Sequence, residues 1–483
     1  MKRTAGILMP VASLPSWDGV GSFGAAAYKF VDMLAEMGMG IWQILPLNPL
    51  GYGNSPYQPF SSYAGDELYI DLDMLVKEGW LAPGRAPFAD SGRIDYQKAK
   101  AYRTPYLKEA YRSFRAKSWD DPEFRAFCGM DWVYPYAVFM AMKKQNGMKC
   151  WNDWPKEQQD WILNRQYDIS HLEDEIGYQL FAQYLFYKQW MALKAYANAR
   201  NVQIMGDVPF YVGQDSLDVW TNREDFLLDE TWRPAFVAGV PPDFFSKTGQ
   251  RWGNPIYNWE NMEKNGFTFW LDRLRYSSHL YDIIRIDHFR AFDTYWKVPA
   301  SCPTAVEGDW IEAPGYAFFD ELYRRMPDIR IVAEDLGNLR PEVLTLRDHY
   351  GLIGMNVMEF NLPDHDDVLE HQLIYTGTHD NQTAKSWYRD LRPRVQAVVR
   401  RKLAPCSRPG ESIPNKMVRY AYGSEASLAI IPLADILGLD DTARLNTPGT
   451  VGSPNWEWRL KDFTALRRKI QWVRKVVEES GRT

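Results

Sequence analysis

The chain has 483 residues, and its 46% hydrophobic and 24% charged content is typical of a globular protein. Its 56 basic and 62 acidic residues give a formal net charge of -6, which argues against a nucleic-acid partner because such proteins present a basic face. No run approaches the roughly 18 apolar residues of a membrane span, and Pro10 interrupts the N-terminal apolar run, which favours a first strand over a signal peptide. We therefore expect a cytoplasmic protein with no membrane partner.

Eight short segments are apolar along both faces, which is typical of parallel strands covered by helices on both sides. In chain order they cover residues 6–15, 40–51, 202–210, 282–290, 329–337, 353–360, 373–381 and 427–439. The segments between them leave room for helices. Eight such strands predict an α/β protein built on a (β/α)8 TIM barrel rather than on an open doubly wound sheet.

The chain is longer than this architecture needs, because a plain barrel takes roughly 250 residues. We expect a single barrel domain over 1–483, with a mostly helical insertion over 52–200 after the second strand. A second, loop-rich insertion is expected over 211–280. Roughly 40 residues follow the last predicted strand, which is too few for a C-terminal β-sandwich domain.

The fourth predicted strand lies in "YDIIRIDHFRAF", where an apolar run meets charged residues. Strand alternation places Arg285 and Asp287 on one face, and Ile286 and His288 on the other. The carboxyl ends of barrel strands carry the active site, and a neighbouring guanidinium favours the ionised carboxylate that a nucleophile needs. We predict that Asp287 is such a nucleophile; the alternative is an Arg–Asp pair that only closes the barrel.

Three other predicted strands also end in carboxylates. Glu334 ends the fifth strand, Asp380 follows His379 at the end of the seventh, and Asp207 ends the third. Asp335 should point away from Glu334. Carboxylates at close range repel, so one tends to keep its proton, and an acid beside an ionised nucleophile is the arrangement of glycoside chemistry.

A divalent metal is the main alternative use of clustered acids. The segments "GTHDN" and "GDVP" lack the dense oxygen-ligand spacing of a calcium loop, and the four cysteines fit no zinc pattern. We therefore expect neither a metal nor another cofactor.

Four motifs occur in a fixed order: "GDVPF", "RIDHFR", "VAEDLG" and "GTHDN". Together they resemble the four signature regions of the α-amylase clan, and more closely those of the amylomaltases, or 4-α-glucanotransferases. The segments 51–72 and 239–259, with "SLPS" and "NWEWRL", extend the resemblance over nearly the whole chain. It implies an enzyme that transfers α-1,4-glucan segments between maltooligosaccharides, taken from starch or glycogen, as a monomer or homodimer without a cofactor.

The resemblance also assigns roles. Asp287 matches the nucleophile, Glu334 the acid/base, and Asp380 the third carboxylate, which holds substrate hydroxyls. A loop over 239–257 is expected to cover the active site. The remaining expected substrate contacts are Arg285, His379, Asp207, Trp252, Gln250, Asp243, Tyr52, Ser55, Asp335 and Asn455.

Two alternatives remain open at this point. An amylase-like hydrolase would use the same carboxylates and pass the sugar to water. A catalytically inert glucan-binding protein would not need both Asp287 and Glu334. The sequence also departs from the family at Asn381, where Thr is frequent, and in "GVGSFG", where an acidic residue is more usual.

Overall fold

A computed structural model describes residues 3–242, 246–364 and 368–482, and for Tyr52 it describes the backbone alone. The strands in these ranges are β1 (Thr4–Leu8), β2 (Ile41–Gln43), β3 (Gln203–Val208), β4 (Phe236–Val240), β5 (Gln250–Pro255), β6 (Ile283–Ile286), β7 (Thr294–Pro299), β8 (Asp309–Glu312), β9 (Ile331–Ala333), β10 (Gly354–Val357), β11 (Gln372–Tyr375) and β12 (Leu428–Pro432).

The α-helices of the same ranges connect and cover these strands. They are α1 (Ala25–Glu36), α2 (Leu72–Lys77), α3 (Tyr96–Ser118), α4 (Pro122–Cys128), α5 (Val133–Gln145), α6 (Lys156–Gln159), α7 (Trp161–Asn164), α8 (Glu173–Asn198), α9 (Leu217–Thr221), α10 (Trp259–Lys264), α11 (Thr268–Leu280), α12 (Gly315–Arg325), α13 (Pro341–His349), α14 (Met358–Asn361), α15 (Ala384–Asp390), α16 (Pro393–Leu403), α17 (Ile413–Gly423), α18 (Leu433–Leu437) and α19 (Thr464–Glu479).

Eight strands form one parallel sheet in the order β10, β11, β12, β1, β2, β3, β6, β9. The sheet closes on itself, because Val332 of β9 pairs in parallel with Ile353 and the N–H of Ala333 donates to the Ile353 carbonyl at 2.8 Å. This closed sheet confirms the predicted (β/α)8 barrel. Each predicted segment overlaps one barrel strand, but the observed strands are shorter because the chain leaves the sheet close to the polar rim residues.

The barrel interior changes from apolar to polar along its axis. Its buried apolar cluster includes Leu8, Ile41, Met205, Ile283, Val332, Met355, Leu373 and Leu428. Side chains two positions further along a strand face the same way, and on β2, β3 and β6 these are Gln43, Asp207 and Arg285. A polar layer therefore caps the apolar interior at the carboxyl end of the barrel.

The segment between β2 and β3 is largely helical and packs on the barrel. Asp95 caps α3 by accepting the N–H of Lys98, and three acidic residues in the first turn of α8 favour its N-terminus through the helix dipole. Arg103 of α3 is buried in an ion pair with Asp18 on the segment after β1. Because an unpaired buried charge is costly, this pair fixes the insertion against the barrel.

The second insertion, over 211–280, contributes two strands to a small antiparallel sheet that the sequence did not predict, and the segment between β6 and β9 contributes the other two. Its strands run in the order β5, β4, β7, β8, so the predicted loop over 239–257 includes all of β5 and the last two residues of β4. Glycines within "FVAGV" and "QRWGNP" weaken the alternation that identifies strands, because glycine has no side chain to pack. This sheet continues past β6 and brings β5 over the barrel's carboxyl end.

After β12 the described chain forms helices and loops without another strand. The closing helix α19 buries Leu466, Ile470 and Val473 against the barrel core. Every helix in the described ranges is too short or too polar to cross a bilayer.

Candidate active site

A charged chain of three side chains lies at the centre of the polar layer. Arg285 Nη1 donates to Asp207 Oδ1 at 2.7 Å and Oδ2 at 2.6 Å, and its Nη2 donates to Asp287 Oδ1 at 3.0 Å. Asp207 and Arg285 are register partners on neighbouring strands, so backbone pairing sets their contact. Burial alone would lower the pKa of Arg285, but Asp207 and Asp287 hold it well above its usual range. The guanidinium therefore stays charged and holds Asp287 Oδ1 by a charge-assisted hydrogen bond.

The exposure of these side chains differs. The side chains of Arg285 and Asp207 are 5% and 0% exposed, whereas that of Asp287 is 32% exposed. Burial raises the pKa of Asp207, and the Arg285 charge opposes that rise. Asp287 is thus the member of the chain that reaches the open space above the barrel.

Glu334 follows β9 and is held by backbone donors. Its Oε2 accepts the backbone N–H of His288 at 2.7 Å, and its Oε1 accepts the backbone N–H of Leu336 at 3.1 Å. Burial raises the pKa of Glu334 to about 7, and the charge of Asp287 adds to this while Arg285 opposes it. A carboxyl with this pKa can both give and accept a proton near neutral pH.

His288 departs from the strand alternation expected for it. The strand β6 ends at Ile286, and His288 adopts a left-handed conformation with φ of 54°. Its ring lies 4.8 Å from the Trp252 ring at 87°, and burial lowers its pKa to about 4. The neutral His288 ring therefore packs edge-on against Trp252, and the backbone N–H of His288 donates to Glu334.

Trp252 and Gln250 lie on β5, above the catalytic end of the barrel. The Trp252 indole N–H donates to Gln250 Oε1 at 3.2 Å, and its carbonyl accepts the Gln58 side chain at 3.3 Å. These contacts join the small sheet to the loop after β2. The two predicted sugar contacts thus share one face of the site with His288.

Asp380 and His379 lie on the turn after β11. The Asp380 side chain is 45% exposed, and its Oδ1 accepts Asn446 Nδ2 at 2.7 Å. His379 is buried, and its Nε2 lies 3.5 Å from Asp380 Oδ1. Asn381 Oδ1 closes the turn by accepting the backbone and side-chain donors of Thr378 at 2.9 and 2.8 Å. The exposed Asp380 carboxylate therefore lies on a turn that hydrogen bonds from Asn446 and within residues 378–381 stabilise.

Tyr57 is a site residue that the sequence analysis missed. Its hydroxyl donates to Asp207 Oδ2 at 2.7 Å and lies 2.9 Å from His379 Nε2, and its ring stacks on His379 with centroids 5.2 Å apart. Burial raises its pKa well above the usual range, so the phenol stays neutral. It lies two residues beyond Ser55 in the segment 51–72, which carried part of the resemblance. Membership of that segment was the one feature of the sequence that could have indicated Tyr57.

Three expected substrate contacts have their polar groups engaged within the protein. Asp335 forms an ion pair with Arg347, pointing away from Glu334 as expected. The Asn455 amide donates to Thr450 Oγ1 at 2.8 Å inside its own loop. Ser55 Oγ accepts the backbone N–H two residues further along at 3.3 Å. Contact of these residues with a sugar stays a prediction.

The two remaining expected contacts lie beyond what the structure describes: Asp243 is outside the described residues, and so is the side chain of Tyr52. Within the described ranges, no group of three or more His, Cys, Asp or Glu side chains is placed to hold a metal ion.

Glu359, on α14, is a buried carboxyl next to the Asp380 turn. Its Oε2 accepts Asn381 Nδ2 at 3.1 Å, and its Oε1 has no hydrogen-bond partner among the described residues. Burial raises the pKa of Glu359 to about 9, and the nearby Asp435 adds to the rise while Asn381 opposes it. The folded protein therefore holds this carboxyl in its protonated form at neutral pH.

We expect the Glu359→Gln variant to be more stable than the unmodified protein at pH 7.5. The folded pKa of about 9 exceeds the usual 4.5, so the folded state binds the proton more tightly and stability falls as pH rises from about 4.5 to about 9. A neutral amide removes this loss, worth a few kcal/mol at about 1.4 kcal/mol per pKa unit. Urea unfolding at pH 5 and pH 7.5 measures the difference, which should shrink at pH 5.

The control for this prediction is Glu321→Gln. Ion pairing with Arg324 and Arg325 holds the pKa of Glu321 at about 2, so its replacement should not stabilise the protein at pH 7.5. An unchanged pH dependence in Glu359→Gln would show that Glu359 is ionised in the folded protein.

The whole chain is similar to proteins of one kind. A family model described as 4-alpha-glucanotransferase matches residues 9–465. The 4-alpha-glucanotransferase of Thermus thermophilus is 44% identical over 481 residues, covering 95% of both chains, and that of Synechocystis sp. is 43% identical over 478 residues, covering 95% of this chain and 94% of the relative. An amylomaltase from Streptococcus agalactiae in complex with acarbose is 35% identical, with a TM-score of 0.93 over 100% of both chains.

Proposed function

The chain belongs to the 4-alpha-glucanotransferase family, and we propose that it transfers α-1,4-glucan segments between maltooligosaccharides by a retaining double displacement. The observation that carries this mechanism is that two carboxyls at one rim of the barrel lie in different electrostatic environments. Asp287 is bonded to the Arg285 cation, while burial raises the pKa of Glu334 to about 7. One carboxylate is thereby suited to attack and the other to carry a proton.

In the first step Glu334 gives its proton to the oxygen of the glycosidic bond. The bond between that oxygen and the anomeric carbon breaks, and an Asp287 oxygen forms a bond to the anomeric carbon. The released segment leaves with a new 4-hydroxyl, and the donor segment remains as an ester of Asp287. Arg285 holds Asp287 Oδ1 at 3.0 Å, which orients the carboxylate for this attack.

In the second step the ionised Glu334 takes a proton from the 4-hydroxyl of the acceptor. The acceptor oxygen attacks the anomeric carbon, and the bond to Asp287 breaks. Two inversions give net retention of configuration. Asp380, whose side chain is 45% exposed, is suited to hold sugar hydroxyls as positive charge develops on the ring.

Transfer requires that an acceptor reach the ester before water does. Trp252 and Gln250 on β5 lie above the site and are suited to bind the acceptor sugar, since an indole face packs well against a pyranose ring. A filled acceptor site would exclude water and raise the local concentration of the attacking hydroxyl. We further propose a cytoplasmic monomer or homodimer acting on chains derived from starch or glycogen.

Incubation with maltotriose alone tests the reaction. We expect a ladder of shorter and longer maltooligosaccharides with glucose as one product, and a nearly constant number of reducing ends, because each transfer breaks one glycosidic bond and forms one. Product chromatography with a reducing-end assay measures both quantities. A steady rise in reducing ends would identify a hydrolase, and an unchanged maltotriose pool would favour a glucan-binding protein.

A further inference from the structure

Each of the three carboxylates with a proposed role in the reaction is oriented by a different kind of donor. A cation holds Asp287, two backbone N–H groups hold Glu334, and a neutral side-chain amide holds Asp380. The Asp380 donor is Asn446, which the sequence analysis did not single out. In the described part of the chain, no other side chain donates a hydrogen bond to this carboxylate, and the other nitrogen near it, His379 Nε2, lies 3.5 Å from the same oxygen.

Asn446 belongs to a short segment, residues 444–446, that makes several hydrogen bonds to the Asp380 turn. Its Nδ2 donates to Asp380 Oδ1 at 2.7 Å, and its backbone N–H donates to the His379 carbonyl at 3.1 Å. Arg444 Nη2 donates to the Asp380 carbonyl at 2.8 Å, and Arg444 Nε donates to the Asn446 carbonyl at 2.7 Å. Both the backbone and the carboxylate of Asp380 are thus tied to residues 444–446.

The neutrality of the amide matters for what Asp380 does. A short bond to a carboxylate is strong and directional, so it fixes the rotation of the group. An amide adds no positive charge, so the second oxygen keeps its full strength as an acceptor for sugar hydroxyls. Those hydrogen bonds strengthen in the transition state of glycoside cleavage.

We propose that Asn446 is a positioning residue that fixes the orientation of the Asp380 carboxylate toward the hydroxyls of the sugar being transferred. The proposal rests on the proposed function, which gives Asp380 its contact with the sugar. Its effect falls on the chemical step more than on ground-state binding, because Asp380 is expected to act most strongly in the transition state.

The test compares Asn446→Ala and Asn446→Asp with Thr442→Ala. Thr442 lies four residues earlier, and its side-chain hydroxyl bonds only Asp440 among the described residues, so its replacement removes a hydrogen bond near the segment without touching Asp380. Rates are followed by fluoride release from maltosyl fluoride, and from the same donor lacking the 2- or the 3-hydroxyl of its reducing-end sugar, with glucose as acceptor.

We expect Asn446→Ala to lower kcat on the full donor by roughly 10- to 100-fold, the order of loss known for small misplacements of catalytic groups. KM should change less than about threefold. On at least one deoxy donor the loss in kcat should also fall below about threefold, because the hydroxyl that Asp380 holds is absent there. Asn446→Asp, which has the same shape, should lose more, since two carboxylates would face each other. Thr442→Ala should keep normal rates.

Three results would overturn the proposal: a normal kcat in Asn446→Asp, an equal loss on all three donors, or an equal loss in Thr442→Ala. Thermal unfolding of each variant shows whether the fold persists, and Asn446→Asp keeps the question open to test if the alanine variant unfolds. Two comparisons separate a failure of the proposed function from a failure of this proposal. If the unmodified protein forms no longer maltooligosaccharides from maltotriose, the proposed function is wrong. If it does form them and Asp380→Ala is equally active, the contact of Asp380 with the sugar is wrong; if Asp380→Ala is inactive while the Asn446 variants are normal, only the positioning role is wrong.

Discussion

The Asp287→Ala variant should lose roughly 10⁴-fold or more of its transfer activity, because removal of a nucleophile from an interlocked catalytic set abolishes most of the rate enhancement. It should also form no covalent intermediate with a fluorinated sugar that traps the glycosyl-enzyme. Asp287 is the partly open end of the charged chain that begins at the buried Asp207. Mass spectrometry of the intact protein measures the trapped species.

Glu334→Gln is the matched variant for this experiment. It should still be labelled by a sugar fluoride, because fluoride leaves without a proton, although it should fail with maltotriose. Its amide keeps the shape of the side chain, and its one carbonyl oxygen can accept one of the two backbone N–H groups, those of His288 and Leu336, that bind Glu334. Labelling of Asp287→Ala together with failure to label Glu334→Gln would reverse the two assigned roles.

The Arg285→Met variant should lose about 3–5 kcal/mol of unfolding free energy, because breaking a buried ion pair leaves uncompensated charge in the barrel. Arg285 and Asp207 are 5% and 0% exposed in their side chains, so water cannot replace the lost partner. Activity should fall as well, since Asp287 loses the group that orients it. Urea unfolding at neutral pH measures the stability change.

Two further variants define the scale of this effect. Arg324→Met removes an exposed guanidinium paired with Glu321, and such surface pairs contribute little to stability because water screens them. Arg285→Lys keeps the charge but not the planar fork that bonds both aspartates, so we expect an intermediate loss. Equal stability of Arg285→Met and Arg324→Met would show that the charged chain does not stabilise the fold.

The barrel was predictable because its strands carry their signal locally. Each is a short apolar run, and the polar residue that follows marks the end of the strand, as Glu334 does after β9. The small antiparallel sheet was not predictable for the opposite reason. Its strands β4 and β5 contain Gly239 and Gly253, and β4 is stabilised by pairing with β7, some 60 residues away, which no local pattern reveals.

The site divides in the same way. Local alternation places Arg285 and Asp287 together, and the structure bonds them. Tyr57 and Asn446 escaped because their contacts join residues far apart in the chain: Tyr57 lies 322 positions from His379, and Asn446 lies 66 positions from Asp380. Loop residues have no periodicity, so their partners follow only from the closed barrel.

The in-register pairing of Asp207 with Arg285 across β3 and β6 also bears on how this protein tolerates changes in length. A single residue inserted within either strand would turn every following side chain to the opposite face and move one partner out of the lumen. Insertions between strands leave this pairing untouched. Length variation among descendants of this sequence should therefore collect in the connecting segments, while the four residues that precede Asp287, Ile283–Ile286, stay fixed in number.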